Sequence, residues 1–318
     1  MKVVIQIPCL NEAETLPTTL ADLPRKLPGV DQVEWLIIDD GSTDDTVNVA
    51  KKHGVDHVVS LPYNQGLARA YMAGLEASLM AGADIIVNTD ADNQYKAEFI
   101  ADLIQPILEN KAQVVVGARP ISMIKQFSLV KKLLQKLGSW VVRVASGTDI
   151  PDAPSGFRAV HKNAATQLYV FSNYTYTIET IIQAGKKNIP ITWVPIGVND
   201  EVLRPSRLIS SIPKYIQRSI FTIFRILILY RPLKFFTILA SAIAIPGIVV
   251  VIRFLYFFFN GQGSGHVQSL VIGGTLGAAA VMIGIGGILA DSLAANRLLM
   301  EEIRSRLLRE SIERKETK

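Results

Sequence analysis

Short apolar runs alternate with longer mixed segments over the first third of the chain. The apolar runs occupy residues 3–7, 34–38, 57–61 and 85–89, and each stops in polar residues. Stretches of helical periodicity separate them, such as residues 67–81. Strands that alternate with helices at this spacing predict βαβ units, and therefore a parallel, doubly wound α/β sheet.

Two later apolar runs have a different pattern, because they show neither alternation nor charge. Residues 235–252 carry no charged side chain and continue past Arg253 into an aromatic segment, and residues 267–290 form a second uncharged run. Each run is long enough to cross a hydrocarbon core of about 30 Å, so the sequence predicts two transmembrane helices. A buried helical hairpin of a soluble protein is the alternative for each run.

The two patterns divide the chain into four predicted parts. These are a catalytic domain, an interfacial helix, a pair of transmembrane helices and a basic helical tail, at residues 1–210, 211–232, 233–294 and 295–318.

Charge and polarity predict the orientation of these parts. The connector at residues 260–268 has no Lys or Arg, whereas the tail is rich in both. The positive-inside rule therefore predicts an integral protein of the inner or plasma membrane, with the catalytic domain and both termini in the cytoplasm. Asn11 and Glu12 interrupt the first apolar run, which predicts no secretory signal. The only cysteine, Cys9, cannot form an intrachain disulfide, which suits a reducing compartment.

The net charge of +5 conceals two local concentrations of basic residues. Residues 119–146 hold six Lys or Arg side chains and residues 204–234 hold seven, with no acidic residue in either stretch. Such localisation favours contact with anionic membrane lipids and predicts no nucleic-acid partner. In helical projection, Lys214, Arg218 and Arg225 share one side, as expected for a helix in the headgroup layer. Residues 124–144 predict a second interfacial helix, with an ordinary surface helix as the alternative.

Two carboxylates close the fourth predicted strand. Alternation along a strand would place Asp90 and Asp92 on one side, near enough to share a divalent cation. Open α/β sheets bind ligands at the carboxyl ends of their strands, where a cation can neutralise a diphosphate leaving group. The pair therefore predicts transfer from a nucleotide-activated substrate. An acidic turn without a ligand is the alternative for this motif in isolation.

Taken in order, the motifs of the chain resemble those of family 2 glycosyltransferases with the GT-A fold. The motifs are Pro8-x-x-Asn11-Glu12, Asp39-Asp40-Gly41-Ser42-x-Asp44, Asn64-x-Gly66 and Asp90-x-Asp92-x-Gln94. Two later motifs resemble the branch that makes polyprenyl-phosphate sugars, the GtrB-like enzymes and dolichol-phosphate mannose synthase. They are Val114-Val115-Val116-Gly117-Ala118-Arg119 and Asp152-x-x-Ser155-Gly156-Phe157-Arg158.

The sequence departs from the family pattern in two places, the first of them directly after the acidic pair. Family members often continue with Gln-His and a proline, whereas Tyr95 and Lys96 follow Gln94 here. The Gln-x-x-Arg-Trp signature of processive synthases is absent from the sequence, which argues against a polymerase.

The fold expected from this resemblance is α/β, with a GT-A doubly wound, mostly parallel sheet followed by interfacial amphipathic helices and two transmembrane helices. The predicted ligands of a Mg²⁺ or Mn²⁺ ion are Asp90, Asp92 and Gln94. The residues expected to bind the nucleotide sugar are Pro8, Asn11, Glu12, Asp40 and Asp90. The candidates for contact with donor or acceptor phosphates are Arg119, Arg158, Arg204 and Arg207.

Asp92 and Asp152 are the predicted catalytic residues. Asp152 is a candidate general base or acceptor-orienting group, and the alternative is a loop carboxylate that caps the following turn. The expected reaction is an inverting transfer of a hexose onto undecaprenyl or another polyprenyl phosphate, with UDP-glucose as the favoured donor. The alternatives are GDP-mannose as donor, a non-lipid acceptor, or a catalytically silent membrane scaffold. Glycines of the second apolar run, such as Gly273 and Gly277, favour packing within the membrane or a homo-oligomer.

Overall fold

The computed structural model describes residues 1–120, 129–170, 176–199, 217, 221, 224–225 and 228–316. Most of the predicted interfacial helix at 211–232 lies outside these residues, including Lys214 and Arg218. Arg204 and Arg207 lie outside them as well, so their predicted phosphate contacts stay predictions.

Strands and helices alternate between residues 2 and 195, and two long helices follow. The strands are β1 (Lys2–Cys9), β2 (Gln32–Asp39), β3 (His57–Ser60), β4 (Ile85–Asn88), β5 (Val114–Ala118), β6 (Arg158–His161) and β7 (Ile191–Pro195). The helices are α1 (Leu16–Asp22), α2 (Thr46–Lys52), α3 (Leu67–Met80), α4 (Ile100–Leu108), α5 (Leu129–Ser146), α6 (Lys162–Ala165), α7 (Tyr176–Lys186), α8 (Pro232–Phe259) and α9 (Val267–Glu316). Short 3₁₀ turns at Ala97–Phe99 and Gly263–His266 precede α4 and α9.

The described strands form one mixed sheet in the order β3-β2-β1-β4-β6-β5-β7. All neighbouring pairs are parallel except those of β6, which runs antiparallel to both β4 and β5. The carboxyl ends of β1, β2, β4 and β5 therefore lie along one edge of the sheet. The prediction of a mostly parallel α/β sheet is confirmed.

Apolar side chains cover both faces of this sheet. Along β1, Val3, Ile5 and Ile7 pack into one core cluster while Val4 packs into the other, because successive side chains of a strand point to opposite faces. The helices of the βα units cover the two clusters. The only polar interior residue of β1 is Gln6, which is fully buried and takes part in the site described below.

The final turns of α9 belong to the same unit as the sheet. Contacts group residues 301–318 with residues 1–219, and residues 220–300 form a second unit. Leu308 is buried in the core cluster that contains Val4, and Glu301 forms a 2.8 Å ion pair with Lys187 at the end of α7. The Arg304 guanidinium lies 4.4 Å from the centre of the Tyr169 ring. Residues predicted as a basic tail therefore supply side chains to the core of the sheet-containing unit.

The second unit contains α8 and the first part of α9. Both helices are long and apolar enough to cross a membrane, with mean hydropathies of 2.6 and 1.9. Glycines let them pack closely, since a Cβ on Gly273 would lie 2.9 Å from the Gly247 carbonyl oxygen and one on Gly287 would lie 2.6 Å from the Phe236 Cβ. These glycines thus serve packing within one chain, one of the two predicted uses.

Candidate active site

The acidic turn, residues 90–92, follows the carboxyl end of β4. Strand pairing ends at Asn88, and Thr89 donates its amide to the Gln6 carbonyl oxygen at 3.1 Å. Asp90 and Asp92 therefore lie in a turn beyond the strand, and both side chains are half-buried. Turn geometry sets the directions of the two carboxylates, so the strand alternation used to predict them does not apply at these positions.

Contacts from three sides hold the acidic turn. Thr19 Oγ1 donates to the Ala91 carbonyl oxygen at 2.8 Å, and the Asn199 amide group donates to the Asn93 carbonyl oxygen at 2.8 Å. The Asn199 backbone amide donates to the Gln94 carbonyl oxygen at 2.9 Å. The Gln94 amide donates to Asp92 Oδ1 at 3.2 Å. Because α1 and the segment after β7 fix the turn, its carboxylates would lose little conformational entropy when a ligand binds.

The turn offers oxygen ligands suited to a hard divalent cation. Two carboxylates and the Gln94 amide are the ligand types that Mg²⁺ and Mn²⁺ prefer, and half-exposed side chains leave room for oxygens from a bound diphosphate. Among the residues that the structure describes, no group of three or more His, Cys, Asp or Glu side chains forms a complete metal site. The residues fit a cation that also takes ligands from the donor.

Two interlocked loops follow β1 and β2 and form the predicted nucleotide side of the site. The Asn11 amide donates to Ser42 Oγ at 2.9 Å, and the Thr43 amide donates to Asn11 Oδ1 at 2.8 Å. The Glu12 amide donates to Thr46 Oγ1 at 2.9 Å, and Thr15 Oγ1 donates to the Glu12 carboxylate at 2.8 Å. The motif residues near Pro8 thus hold one another, which explains why Asn11 tolerates a left-handed φ of 54°.

Asp40 joins these loops to the start of α3. Its two carboxylate oxygens accept the amides of Gln65 and Gly66 at 2.7 and 2.9 Å. A Cβ on the neighbouring Gly41 would lie 2.6 Å from the Tyr63 carbonyl carbon, so only glycine allows this approach. Asp40 is 4% exposed. In this arrangement it shapes the wall of the pocket, and its direct contact with a nucleoside stays a prediction.

Asp152 and Arg119 form a buried, two-pronged ion pair. Arg119 Nε and Nη2 donate to the two Asp152 carboxylate oxygens at 2.7 and 3.0 Å, and the Arg119 backbone amide adds a third bond at 3.2 Å. Burial alone lowers the pKa of Arg119, but Tyr95 and Asp152 raise it overall, so the guanidinium stays charged. This geometry fits Asp152 as the residue that holds Arg119 better than as a general base, because both of its oxygens already accept bonds from a cation.

Arg158 does not reach the surface. It is fully buried, and its guanidinium donates to the carbonyl oxygens of Ser155 and Ala153 at 2.9 Å each and to Thr180 Oγ1 at 2.5 Å. A phosphate could contact this group only if the surrounding segment opened. The predicted phosphate contact of Arg158 therefore does not fit the structure, which assigns it to the support of the segment around Gly156.

The sequence did not predict a buried polar cluster that lies beside Asp90. Asn88 Nδ2 donates to the Gly156 carbonyl oxygen and to Tyr176 Oη, both at 2.9 Å, and the Gly156 amide donates to Tyr95 Oη at 3.1 Å. Tyr95 is the residue at which the motif departs from its family. Tyr176 has no comparable signal, because it lies far along the chain and only the packing of α7 brings it to Asp90.

Tyr95 follows the acidic turn by three residues, and its hydroxyl interacts electrostatically with both Asp90 and Arg119. It is buried, and its ring stacks on Phe157 with centroids 5.1 Å apart. Burial raises the pKa of Tyr95, Arg119 lowers it, and Asp90 raises it further, which places its hydroxyl in the field of both charged groups. The hydroxyl is thus protonated at neutral pH, and it accepts a bond from the amide of Gly156, the residue beside which Asp90 lies.

A basic cavity opens on the Arg119 side, at the carboxyl ends of β5 and β7. It has a volume of about 760 Å³, and its wall combines basic with apolar side chains. The lining includes Arg119, Lys136, Arg143, Phe99, Trp193 and Pro151. Cations beside aromatic and proline surfaces suit an anionic group attached to an apolar chain.

The helix α5 borders this cavity and presents apolar side chains outward. Leu133, Leu137, Trp140 and Val144 are 67, 45, 54 and 44% exposed, whereas Gln135 and Ser139 are buried. An ordinary surface helix of a soluble protein has the opposite arrangement. The exposed apolar face and its basic flank support the predicted interfacial helix.

Comparisons with known proteins agree with the motifs. A model of glycosyl transferase family 2 matches residues 4–168. An undecaprenyl-phosphate mannosyltransferase from Micrococcus luteus is 27% identical over 218 residues, which cover 65% of this chain and 88% of the relative. A UDP-N-acetylglucosamine–dolichyl-phosphate N-acetylglucosaminyltransferase from Methanococcus voltae is 30% identical over 213 residues, which cover 60% and 82%.

Solved structures show the same fold. Glucosyl-3-phosphoglycerate synthase from Mycobacterium tuberculosis, in complex with Mn²⁺, UDP and glucosyl-3-phosphoglycerate, superposes with a TM-score of 0.55. The identity is 24%, and the match covers 70% of this chain and 79% of the synthase. This likeness confirms the expected fold.

Proposed function

Because the chain belongs to glycosyl transferase family 2, we propose that it moves a hexose from a nucleotide sugar onto a polyprenyl phosphate. The observation that carries this proposal is that the acidic turn after β4 and the basic cavity at the ends of β5 and β7 lie at the same edge of the sheet. One side suits a nucleoside diphosphate and the other an anionic lipid head. Relatives named for undecaprenyl and dolichyl phosphate support the same acceptor class.

The donor side consists of the interlocked loops and the acidic turn. Asp92 and Gln94, with Asp90, would hold Mg²⁺ or Mn²⁺, and the bound cation would offset the charge that develops on the leaving diphosphate. A solved structure of the same fold, in complex with Mn²⁺ and UDP, supports a divalent cation here. Asn11 and Glu12 keep the loop near Pro8 in place for the nucleoside.

The acceptor side is the basic cavity. A phosphate monoester has a second pKa of about 6, so near pH 7 it needs orientation more than deprotonation. Arg119, fixed by Asp152, and Lys136 supply cations at the inner and outer parts of the cavity. This reaction needs no general base, in agreement with the ion-paired state of Asp152.

The proposed reaction is a single displacement at the anomeric carbon. A phosphate oxygen of the lipid forms the new bond to C1 as the bond from C1 to the nucleoside diphosphate breaks, and the diphosphate leaves as an anion. One displacement inverts the configuration, so an α-linked donor gives a β-linked polyprenyl phosphosugar. UDP-glucose is the favoured donor and GDP-mannose the alternative.

Transfer of label to lipid tests this proposal. Full-length protein in detergent, incubated with undecaprenyl phosphate, Mg²⁺ and radiolabelled UDP-glucose, GDP-mannose or UDP-N-acetylglucosamine, should carry label into the organic phase, most with UDP-glucose. Lys136→Ala should raise the lipid concentration needed for half-maximal rate about tenfold, equivalent to one charge-assisted contact. The control Lys111→Ala removes an exposed lysine paired with Glu109, remote from the cavity, and should change nothing.

Three outcomes would contradict the proposal. Label that enters only water-soluble products would favour a non-lipid acceptor. Absence of transfer from every donor would favour a silent scaffold. An equal effect of Lys136→Ala and Lys111→Ala would remove the basic cavity from acceptor binding.

We also propose that α8 and α9 cross the inner or plasma membrane with both termini in the cytoplasm. Gly265→Cys should react with an impermeant thiol reagent in intact cells, and Arg314→Cys only after permeabilisation. Both sites suit the experiment, because a Cβ at Gly265 would meet nothing within 4 Å and the Arg314 side chain is 76% exposed. The single native thiol, Cys9, is buried and should stay unlabelled in the folded parent protein. The reverse labelling pattern would overturn this orientation.

A further inference from the structure

The Asp90 carboxylate and the Tyr176 hydroxyl meet at the Cα of Gly156. A Cβ built on Gly156 would lie 3.2 and 3.3 Å from the two Asp90 carboxylate oxygens and 2.9 Å from Tyr176 Oη. A methyl group at this point would therefore press on both side chains. Absence of a side chain at Gly156 is what lets Tyr176 approach the first carboxylate of the acidic turn.

Other buried groups fix the position of the Tyr176 hydroxyl. Asn88 Nδ2 donates to it at 2.9 Å, and Gln6 Nε2 donates to Asn88 Oδ1 at 2.9 Å, which sets the orientation of the Asn88 amide. The Tyr176 ring stacks on Tyr71 with centroids 3.9 Å apart and planes 13° apart. Tyr176 is only 1% exposed. The hydroxyl thus has little freedom to move or to exchange its partners for water.

The hydrogen bonds of Tyr176 decide where its hydroxyl lies. The hydroxyl already accepts the Asn88 bond, and it donates to the Gly156 carbonyl oxygen only at 3.4 Å. These bonds hold the hydroxyl beside the Gly156 Cα, the same place where the Asp90 carboxylate lies.

We propose that Tyr176 is a positioning residue for the donor site, whose hydroxyl, held by Asn88, sets the direction of the Asp90 carboxylate. This inference rests on the proposed function, since it assigns Asp90 to the bound nucleotide and its cation. Tyr176 itself touches neither ligand, and it acts through Asp90. Because both groups lie within 3.3 Å of one point beside the Gly156 Cα, a hydroxyl that cannot move limits the directions open to the carboxylate.

Tyr71 provides a matched control for this role. It is fully buried and stacked on Tyr176, and its hydroxyl has no hydrogen-bond partner within the described part of the chain. Tyr71→Phe and Tyr176→Phe therefore remove the same atom from the same stacked pair. They differ in that only Tyr176 carries a hydroxyl that contacts Asn88 and approaches Asp90.

The experiment measures donor binding by titration calorimetry on full-length protein in detergent. Mn²⁺ with UDP, and Mn²⁺ with GDP in parallel, are the probes. Tyr176→Phe should raise the Kd of the bound nucleotide about fivefold and the Mn²⁺ concentration for half-maximal binding by a similar factor, as expected for one lost orienting contact. Tyr71→Phe should leave both constants unchanged. Thermal unfolding of each variant reports its effect on stability.

The outcomes separate this inference from the proposed function. Wild-type protein that binds neither nucleotide with Mn²⁺ would overturn the proposed function and this inference with it. Wild-type binding that both tyrosine variants leave intact would overturn the inference alone. A lower Tm for Tyr176→Phe with unchanged Kd, measured well below that Tm, would reduce Tyr176 to a structural residue.

Discussion

Asp92→Asn is expected to lower the turnover of sugar transfer by a factor of about 10² to 10³, equivalent to roughly 3 to 4 kcal/mol of transition-state stabilisation. The substitution keeps the shape of the side chain but removes the charge that would bind the cation on the leaving diphosphate. Because Asp92 is half-buried in a turn held by Thr19 and Asn199, the fold should remain intact. Steady-state rates with saturating donor and lipid, together with thermal unfolding, measure the two effects.

The control for this prediction is Asp102→Asn. It makes the same chemical change on an exposed residue of α4 and should leave the rate unchanged. Transfer that survives both Asp92→Asn and EDTA would contradict a cation-assisted mechanism.

Asp152→Ala is expected to destabilise the catalytic unit by about 3 to 5 kcal/mol, because it leaves the buried Arg119 guanidinium without its counterion. The side chains of the two residues are only 7 and 1% exposed, so water cannot replace the lost partner without opening the structure. For a domain of this size, the loss corresponds to a fall in Tm on the order of 10 °C.

A second variant distinguishes this positioning role from general base catalysis. The double change Arg119→Met with Asp152→Leu removes both charges and should recover most of the lost stability, since a buried ion pair can often be replaced by apolar residues. Lipid glycosylation should stay low because the cavity has lost a cation. A large loss of turnover in Asp152→Asn with an unchanged Tm and a shifted pH profile would instead indicate a base.

Local signals predicted the elements that position the donor side. The largely apolar runs at residues 3–7 and 85–89 predicted β1 and β4, since a strand buried on both faces is apolar at most of its positions. The family resemblance predicted that Asn11 and Asp40 belong to one nucleotide-sugar site. The structure gives the reason, because both follow parallel neighbouring strands whose carboxyl ends meet at one edge.

Long-range packing explains why some residues lie in surroundings that the sequence did not predict. Arg158 and Asp152 belong to a motif of the family, and a motif shows that residues occur together without showing which of them face solvent. The structure buries Arg158 and pairs Asp152 with Arg119. For the same reason, the sequence predicted a basic tail at the C-terminal residues. Leu308 can be recognised as a core residue only when the residues of α3 and β1 in the same cluster are known.

By itself, the sequence determined the α/β class, the two apolar helices, the acidic turn and the family, because these depend on local periodicity and short motifs. Only the tertiary structure decided that Tyr176 and Gly156 surround Asp90, that α5 turns its apolar face outward, and that the last turns of α9 enter the catalytic core. Each of these depends on which distant segments pack together. The hydrophobic effect that drives this packing is non-directional. A single stretch of sequence therefore does not specify which distant segment it packs against.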